Sequence, residues 1–220
     1  SIFVNPTQFG VGEDFESYPR TEAEDQQKLL AAQVDLLFMP SVTEMYGAGT
    51  NTIISVKHLS TILCGASRPG HFDGVATVVC NLFNRVQPDM AFFGQKDFQQ
   101  LAIIRSMVSD LNIPVEIKSI ATVREGSGLA MSSRNNYLKL EELQIAPKLY
   151  LTLVKAKDEV LNGNKAFATI EAEAIRTLQD ALFVPDYFNI CRADDLQKAN
   201  KLDTDLAILT AAKLGKTRLI

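Results

Sequence analysis

The chain has 220 residues, 46% of them hydrophobic, enough to bury one large core or two modest ones. Its 22 Lys and Arg against 26 Asp and Glu leave a net charge of −4 without a long basic run. That argues against a nucleic-acid binder and leaves any phosphate binding to local basic residues.

No apolar run is long enough for a membrane helix, and no signal peptide is visible. The three cysteines, Cys64, Cys80 and Cys191, are scattered without Cys-x-x-Cys spacing. They read as small buried hydrophobes in a reducing compartment, so a soluble cytoplasmic protein without membrane or nucleic-acid partners is expected.

In chain order, residues 1–4 form a short apolar strand that Asn5-Pro6 breaks, and a polar, glycine-bearing loop runs to Arg20. Thr21 with Glu24 predicts a capping box opening a helix through about Gln33. Residues 35–40 and 51–56 are expected to be strands. A turn-rich loop over 65–72 precedes a buried helix over 75–86. Residues 89–93 predict a strand, 99–111 a helix and 115–120 another strand, an alternation that argues for a parallel α/β sheet.

The pattern changes after Thr122. Residues 124–128 (Arg-Glu-Gly-Ser-Gly) read as a hinge, and helices are expected over 140–161 and 168–182, Gly163 stopping the first. Strand-like runs at 187–192, 206–212 and 217–220 lie close enough to pair without crossover helices. Two domains are expected: residues 1–122, and a smaller α+β domain over residues 123–220.

Residues 91–100 (Ala-Phe-Phe-Gly-Gln-Lys-Asp-Phe-Gln-Gln) carry the strongest chemical signal. A strand's carboxyl end meets a helix amino end here, where anions bind in open parallel sheets. Gly94 permits close backbone approach and Lys96 offers charge to a phosphate. Met131-Ser132-Ser133-Arg134-Asn135 sets two hydroxyls and a guanidinium beside the hinge, donors suited to phosphate oxygens; the alternative is a capped loop. Gln8 follows the first strand as an amide that reads a hydroxyl or carboxylate, or else serves the Asn-Pro turn. Arg68 and His71 cluster in one loop. His58 is assigned to the surface or to packing. Metal-ligand spacing and a Gly-x-Ser-x-Gly elbow are both lacking, so chemistry is expected from positioning and charge stabilisation.

Taken together, Phe-Val-Asn-Pro-Thr-Gln-Phe (residues 3–9), Tyr18-Pro19-Arg20-Thr21, Arg-Pro-Gly-His-Phe (68–72), Phe-Phe-Gly-Gln-Lys-Asp-Phe-Gln-Gln (92–100) and Gly-Leu-Ala-Met-Ser-Ser-Arg-Asn (128–135) occur in the order seen in the pantothenate synthetases. The chain resembles that family from Ser1 to Ile220. The resemblance implies a Rossmann-like domain of the nucleotidyltransferase type with a carboxy-terminal lid. It also implies ATP-dependent ligation of pantoate and β-alanine through a pantoyl-adenylate, releasing pyrophosphate and AMP, in a homodimer.

Carried over by motif, Gln8 and Gln100 would hold pantoate. Gly94, Gln95, Lys96 and Asp97 would line the ATP site, with Lys96 on the phosphates and Val123 on the adenine side. Met131, Ser132, Ser133 and Arg134 would clamp the triphosphate. Arg68 and His71 would line the substrate site, and Mg²⁺ would accompany ATP without a dedicated protein cage.

Gln95 stands where the family usually has Glu, and Ser127 where it usually has Asp; neither removes a phosphate donor. The family's opening Met-Gly-x-Leu-His-x-Gly-His segment has no counterpart here, so the sheet is expected to lack its middle strand. These residues alone are expected to have little ligase activity, whereas a longer polypeptide containing them is expected to be active. Two competing readings are another Rossmann-like adenylyltransferase and a non-catalytic binding or oligomerising module.

Overall fold

The computed structural model describes residues 1–47, 49 and 51–220. An extended stretch leads into a 3-10 turn at Pro6–Gln8, capped by the Asn5 side chain, and then helix α1 (Glu22–Ala31). Short helices α2 (Val42–Tyr46) and α3 (Cys64–Ser67) precede the long helix α4 (His71–Val86). Strand β1 (Met90–Gly94), a 3-10 turn at Gln95–Asp97, helix α5 (Phe98–Asp110) and strand β2 (Glu116–Ile120) form a parallel β-α-β unit. Its register runs from Met90 opposite Glu116 to Gly94 opposite Ile120.

Apolar spacing explains why α4 and α5 lie beneath this unit. Phe72, Val75, Ala76, Val79 and Phe83 recur at three- and four-residue steps and are buried, as are Leu101, Ile103, Ile104 and Met107. Fully burying each large side chain stabilises by about 1.5–3 kcal/mol before entropy is counted. All of these but Leu101 belong to the first of two cores.

Beyond Thr122 a small hairpin pairs Arg124 with Ala130, and a 3-10 turn follows at Ser133–Tyr137. Helices α6 (Leu140–Ile145), α7 (Lys148–Leu161) and α8 (Phe167–Asp180) lead to an antiparallel sheet of β3 (Phe183–Arg192), β4 (Leu206–Leu214) and β5 (Thr217–Leu219), in that order. Along β3 and β4, successive side chains face opposite ways. Phe188, Ile190 and Ile208 join the second core, whereas Tyr187, Cys191 and Leu209 pack against the first. The sheet therefore lies between the two cores, which is why its strands read as nearly continuous apolar runs.

Several local expectations are corrected. Residues 1–4 and 35–40 run side by side, joined by a hydrogen bond from the Ile2 N–H to the Phe38 carbonyl (3.0 Å), but form no strand ladder. Residues 51–56 are extended but also unladdered; the Ile54 N–H donates to Thr77 Oγ1 at 2.9 Å instead. The Thr21 capping box does not form, because its hydroxyl bonds the Asp25 carboxylate (3.2 Å) rather than a helix N–H. The stretch 140–161 is two helices, since Pro147 has no N–H to continue the first ladder. Helix α4 begins four residues earlier than expected, at His71. Gly163 does follow the end of α7, in the left-handed region at φ +89°, where a side chain is disfavoured.

Candidate active site

A cleft of about 700 Å³ opens where β1 ends, with walls drawn from both cores. Five basic side chains (Arg68, Lys96, Arg105, Arg124, Arg218) and three acidic ones (Asp97, Asp194, Asp205) line it. The cleft is thus locally cationic within an acidic chain, which suits a polyanionic ligand.

The β1 carboxyl end delivers Gln95, Lys96 and Asp97 to the cleft just before the amino end of α5, where the helix dipole favours negative charge. Lys96 Nζ lies 3.8 Å from the Asp97 carboxylate, and Gln95 Nε2 donates to Ser119 Oγ at 3.3 Å. In the first turn of α5 two adjacent amides diverge. Gln99 is buried: its Oε1 accepts from the Cys64 N–H (3.1 Å), and its Nε2 donates to the carbonyls of Leu59 and Ile62, both at 2.8 Å. Gln100, half-buried, lines the cleft.

The amino end of α4 brings His71 beside Arg68. His71 Nδ1 lies 2.8 Å from the Gln8 carbonyl, and its Nε2 lies 2.9 Å from Arg68 Nη1. A carbonyl only accepts and a guanidinium only donates, so Nδ1 carries the proton and Nε2 accepts. Burial first, then the Arg68 charge, lowers the imidazole pKa to about 4, so the ring is neutral at pH 7. His71 therefore supplies no positive charge; it braces the Gln8 backbone against Arg68.

Gln8 itself lies outside the cleft lining, its Oε1 accepting from buried Asn5 Nδ2 at 3.1 Å. Asn5 Nδ2 also donates to the Gly74 carbonyl at 3.1 Å, fastening the Pro6–Gln8 turn to α4. A Cβ at Gly74 would collide with the Thr7 carbonyl, so only glycine permits this approach.

On the opposite wall Ser132 lines the cleft and caps its turn, Oγ accepting from the Arg134 N–H at 3.3 Å. Val123 and Met131 are exposed and joined by a bond from the Met131 N–H to the Val123 carbonyl (3.0 Å). Ser133 Oγ meets the Tyr18 hydroxyl at 3.4 Å. Arg134 pairs through Nε and Nη2 with Asp14, at 2.8 and 2.9 Å. The structure thus gathers Arg68, His71, Gln95, Lys96, Asp97, Gln100 and Ser132 on one cleft, and leaves Gln8, Gly94, Val123, Met131, Ser133 and Arg134 outside its lining.

The profile of the Pantoate-beta-alanine ligase family matches residues 1–220. The chain belongs to that family. Pantothenate synthetases of Hahella chejuensis and Stutzerimonas stutzeri are each 55% identical over 222 residues, spanning all of this chain and 78% of their own length. A crystal structure of pantothenate synthetase from Thermus thermophilus superimposes with TM-score 0.91 at 44% identity, covering 99% of this chain and 79% of the other. The Francisella tularensis pantoate-beta-alanine ligase, complexed with beta-gamma ATP and beta-alanine, gives TM-score 0.80 at 35% identity, covering 99% and 75%. As a pantoate-beta-alanine ligase family member, the chain is an ATP-dependent ligase of the pantothenate-forming class with a Rossmann-like fold. Among the described residues no helix is long and apolar enough to cross a membrane.

Several polar groups in or beside this cleft escape sequence reasoning. Arg124 lies 3.7 Å over the Tyr150 ring and donates to the Gly128 carbonyl at 3.1 Å, turning the expected hinge into an anchored hairpin. Arg218 reaches the cleft from β5, held by Asp186 at 2.6 Å. Glu13 and Asp14 pair with Arg68 and Arg134. Their only local signal is an acidic pair in a glycine-bearing loop, which by itself names no partner.

Proposed function

We propose that the chain joins pantoate to β-alanine in two steps at this cleft. A pantoate carboxylate oxygen attacks the α-phosphorus of ATP, and pyrophosphate leaves as the pantoyl-adenylate forms. The amine of β-alanine then attacks the acyl carbon and loses a proton, and AMP departs. Gln8 and Gln100 hold pantoate. Gly94, Gln95, Lys96 and Asp97 line the ATP site, with Val123 on the adenine side and Met131 beside the triphosphate clamp. Lys96, Ser132, Ser133 and Arg134 stabilise the phosphate charge, and preorganised donors of this kind act most strongly away from water. Arg68 and His71 shape the substrate end.

Mg²⁺ arrives on the ATP phosphates as part of the substrate; among the described residues no group of three His, Cys, Asp or Glu side chains is arranged to hold a metal. Residues 1–122 bind ATP and pantoate, residues 123–220 act as the lid, and the ligase works as a cytoplasmic homodimer. Three free cysteines agree with a reducing compartment.

What carries this proposal is that Lys96 and Ser132, from two motifs remote in sequence, face one cationic cleft together with Gln100 and Arg68. The test is AMP release with ATP, pantoate and β-alanine, with the intact mass of the preparation measured alongside. Pantoate-dependent exchange of pyrophosphate into ATP, without β-alanine, is the result expected of an adenylate; exchange that requires β-alanine overturns it.

A further inference from the structure

Two consecutive carboxylates occupy two arginine forks. Arg68 donates through Nε and Nη2 to Glu13 Oε1 and Oε2, at 2.6 and 2.5 Å. Arg134 donates through the same pair of nitrogens to Asp14, at 2.8 and 2.9 Å. Both pairs are bidentate, the geometry in which a guanidinium also grips two oxygens of a phosphate. The pairs join parts of the chain 55 and 120 residues apart, so no local turn imposes them.

The surrounding loop is built to present these acids. Phe9 packs edge-on against Phe15 and Tyr18, with ring centroids 5.3 and 5.6 Å away. The Ser17 carbonyl accepts from the Tyr137 hydroxyl at 3.0 Å, and the Arg134 guanidinium lies 5.1 Å from the Tyr18 ring. The Arg134 hydrogen bonds hold the Asp14 carboxyl below its usual range, with a small contribution from the charge of Arg68.

We infer that Glu13 and Asp14 are an internal anion that stands where the phosphate chain of ATP must bind. They neutralise the two arginine forks until a more highly charged ligand displaces them. The two carboxylates carry two negative charges; a triphosphate carries more and supplies several oxygens to each fork, whereas a monophosphate brings too little charge to compete. Glu13 and Asp14 therefore set phosphate affinity and select for long polyphosphates. This rests on the phosphate role proposed above for Arg134, with Arg68, at the substrate end of the cleft, as the second fork.

The test is calorimetric titration of the protein with ATP, AMP and inorganic tripolyphosphate, in wild type, Asp14→Asn and Glu13→Gln. Each variant is expected to bind ATP and tripolyphosphate about threefold to tenfold more tightly, and to narrow the preference for ATP over AMP. Urea unfolding checks that each variant is folded; if Asp14→Asn is not, Glu13→Gln makes the same test at the other fork. Wild-type ATP binding with equal or weaker binding by a folded variant overturns the inference alone and makes the acids positioning groups for the arginines. No binding of ATP or tripolyphosphate by wild type or either variant overturns both the inference and the phosphate roles beneath it.

Discussion

Replacing Gln99 by Leu isolates the amide that ties the 59–64 segment to α5. Gln99 is 5% exposed and makes three hydrogen bonds to backbone: from the Cys64 N–H, and to the Leu59 and Ile62 carbonyls. Leucine keeps the approximate volume and removes all three. Ile62 O still accepts from the Gly65 N–H at 2.8 Å, so the Cys64 N–H and the Leu59 carbonyl bear most of the loss. Each buried group left unmade costs about 1–3 kcal/mol, offset in part by the apolar burial that leucine gains. A net loss of about 3 kcal/mol is expected. With a urea slope of about 2–3 kcal/mol per molar for a chain of this size, the unfolding midpoint falls by roughly 1 M. A fall under about 0.3 M at unchanged slope would refute the reasoning, because it would mean that water or backbone relaxation satisfies those groups.

Between about pH 6.5 and 4, stability is expected to fall as the solution is acidified. His71 is kept neutral in the fold down to about 4, while the unfolded chain takes up its proton near 6.5. Its contribution is complete above 6.5 and is lost as pH falls through that window, amounting to about 3 kcal/mol in all. Proton NMR checks this directly: His71 should not titrate until near 4, so a His71 signal titrating near 6.5 contradicts the burial assigned to it. Gly74→Ala is expected to cost about 2 kcal/mol or more, because its Cβ meets the Thr7 and Gln8 backbone and must push the Pro6–Gln8 turn away from α4. Thermal unfolding reads the loss; a midpoint within about 1 °C of wild type rules out the close approach.

How much of this was visible in the sequence depends on how local each cause is. The β1–Gln95–Lys96–Asp97–α5 segment was legible within about one residue, because a short apolar run, a glycine and a helical run act over neighbouring positions. The break at Pro147 was missed because the apolar helical pattern continues across it, and the Thr21 box expected from the sequence fails because Asp25 competes for the hydroxyl.

By itself the sequence determined the class of fold, the strand-end lysine, the Ser-Ser-Arg turn and, through the order of five motifs, the family. Each depends on residue type and short spacing. Tertiary structure alone decided between the two adjacent glutamines of α5, since successive residues point about 100° apart and only packing chooses the buried face. It likewise decided that His71 is a neutral brace rather than a cation, because burial and Arg68 set its charge. Finally, it chose the partners of Arg68 and Arg134, which lie 55 and 120 residues away, where only the folded chain brings opposite charges within reach of each other.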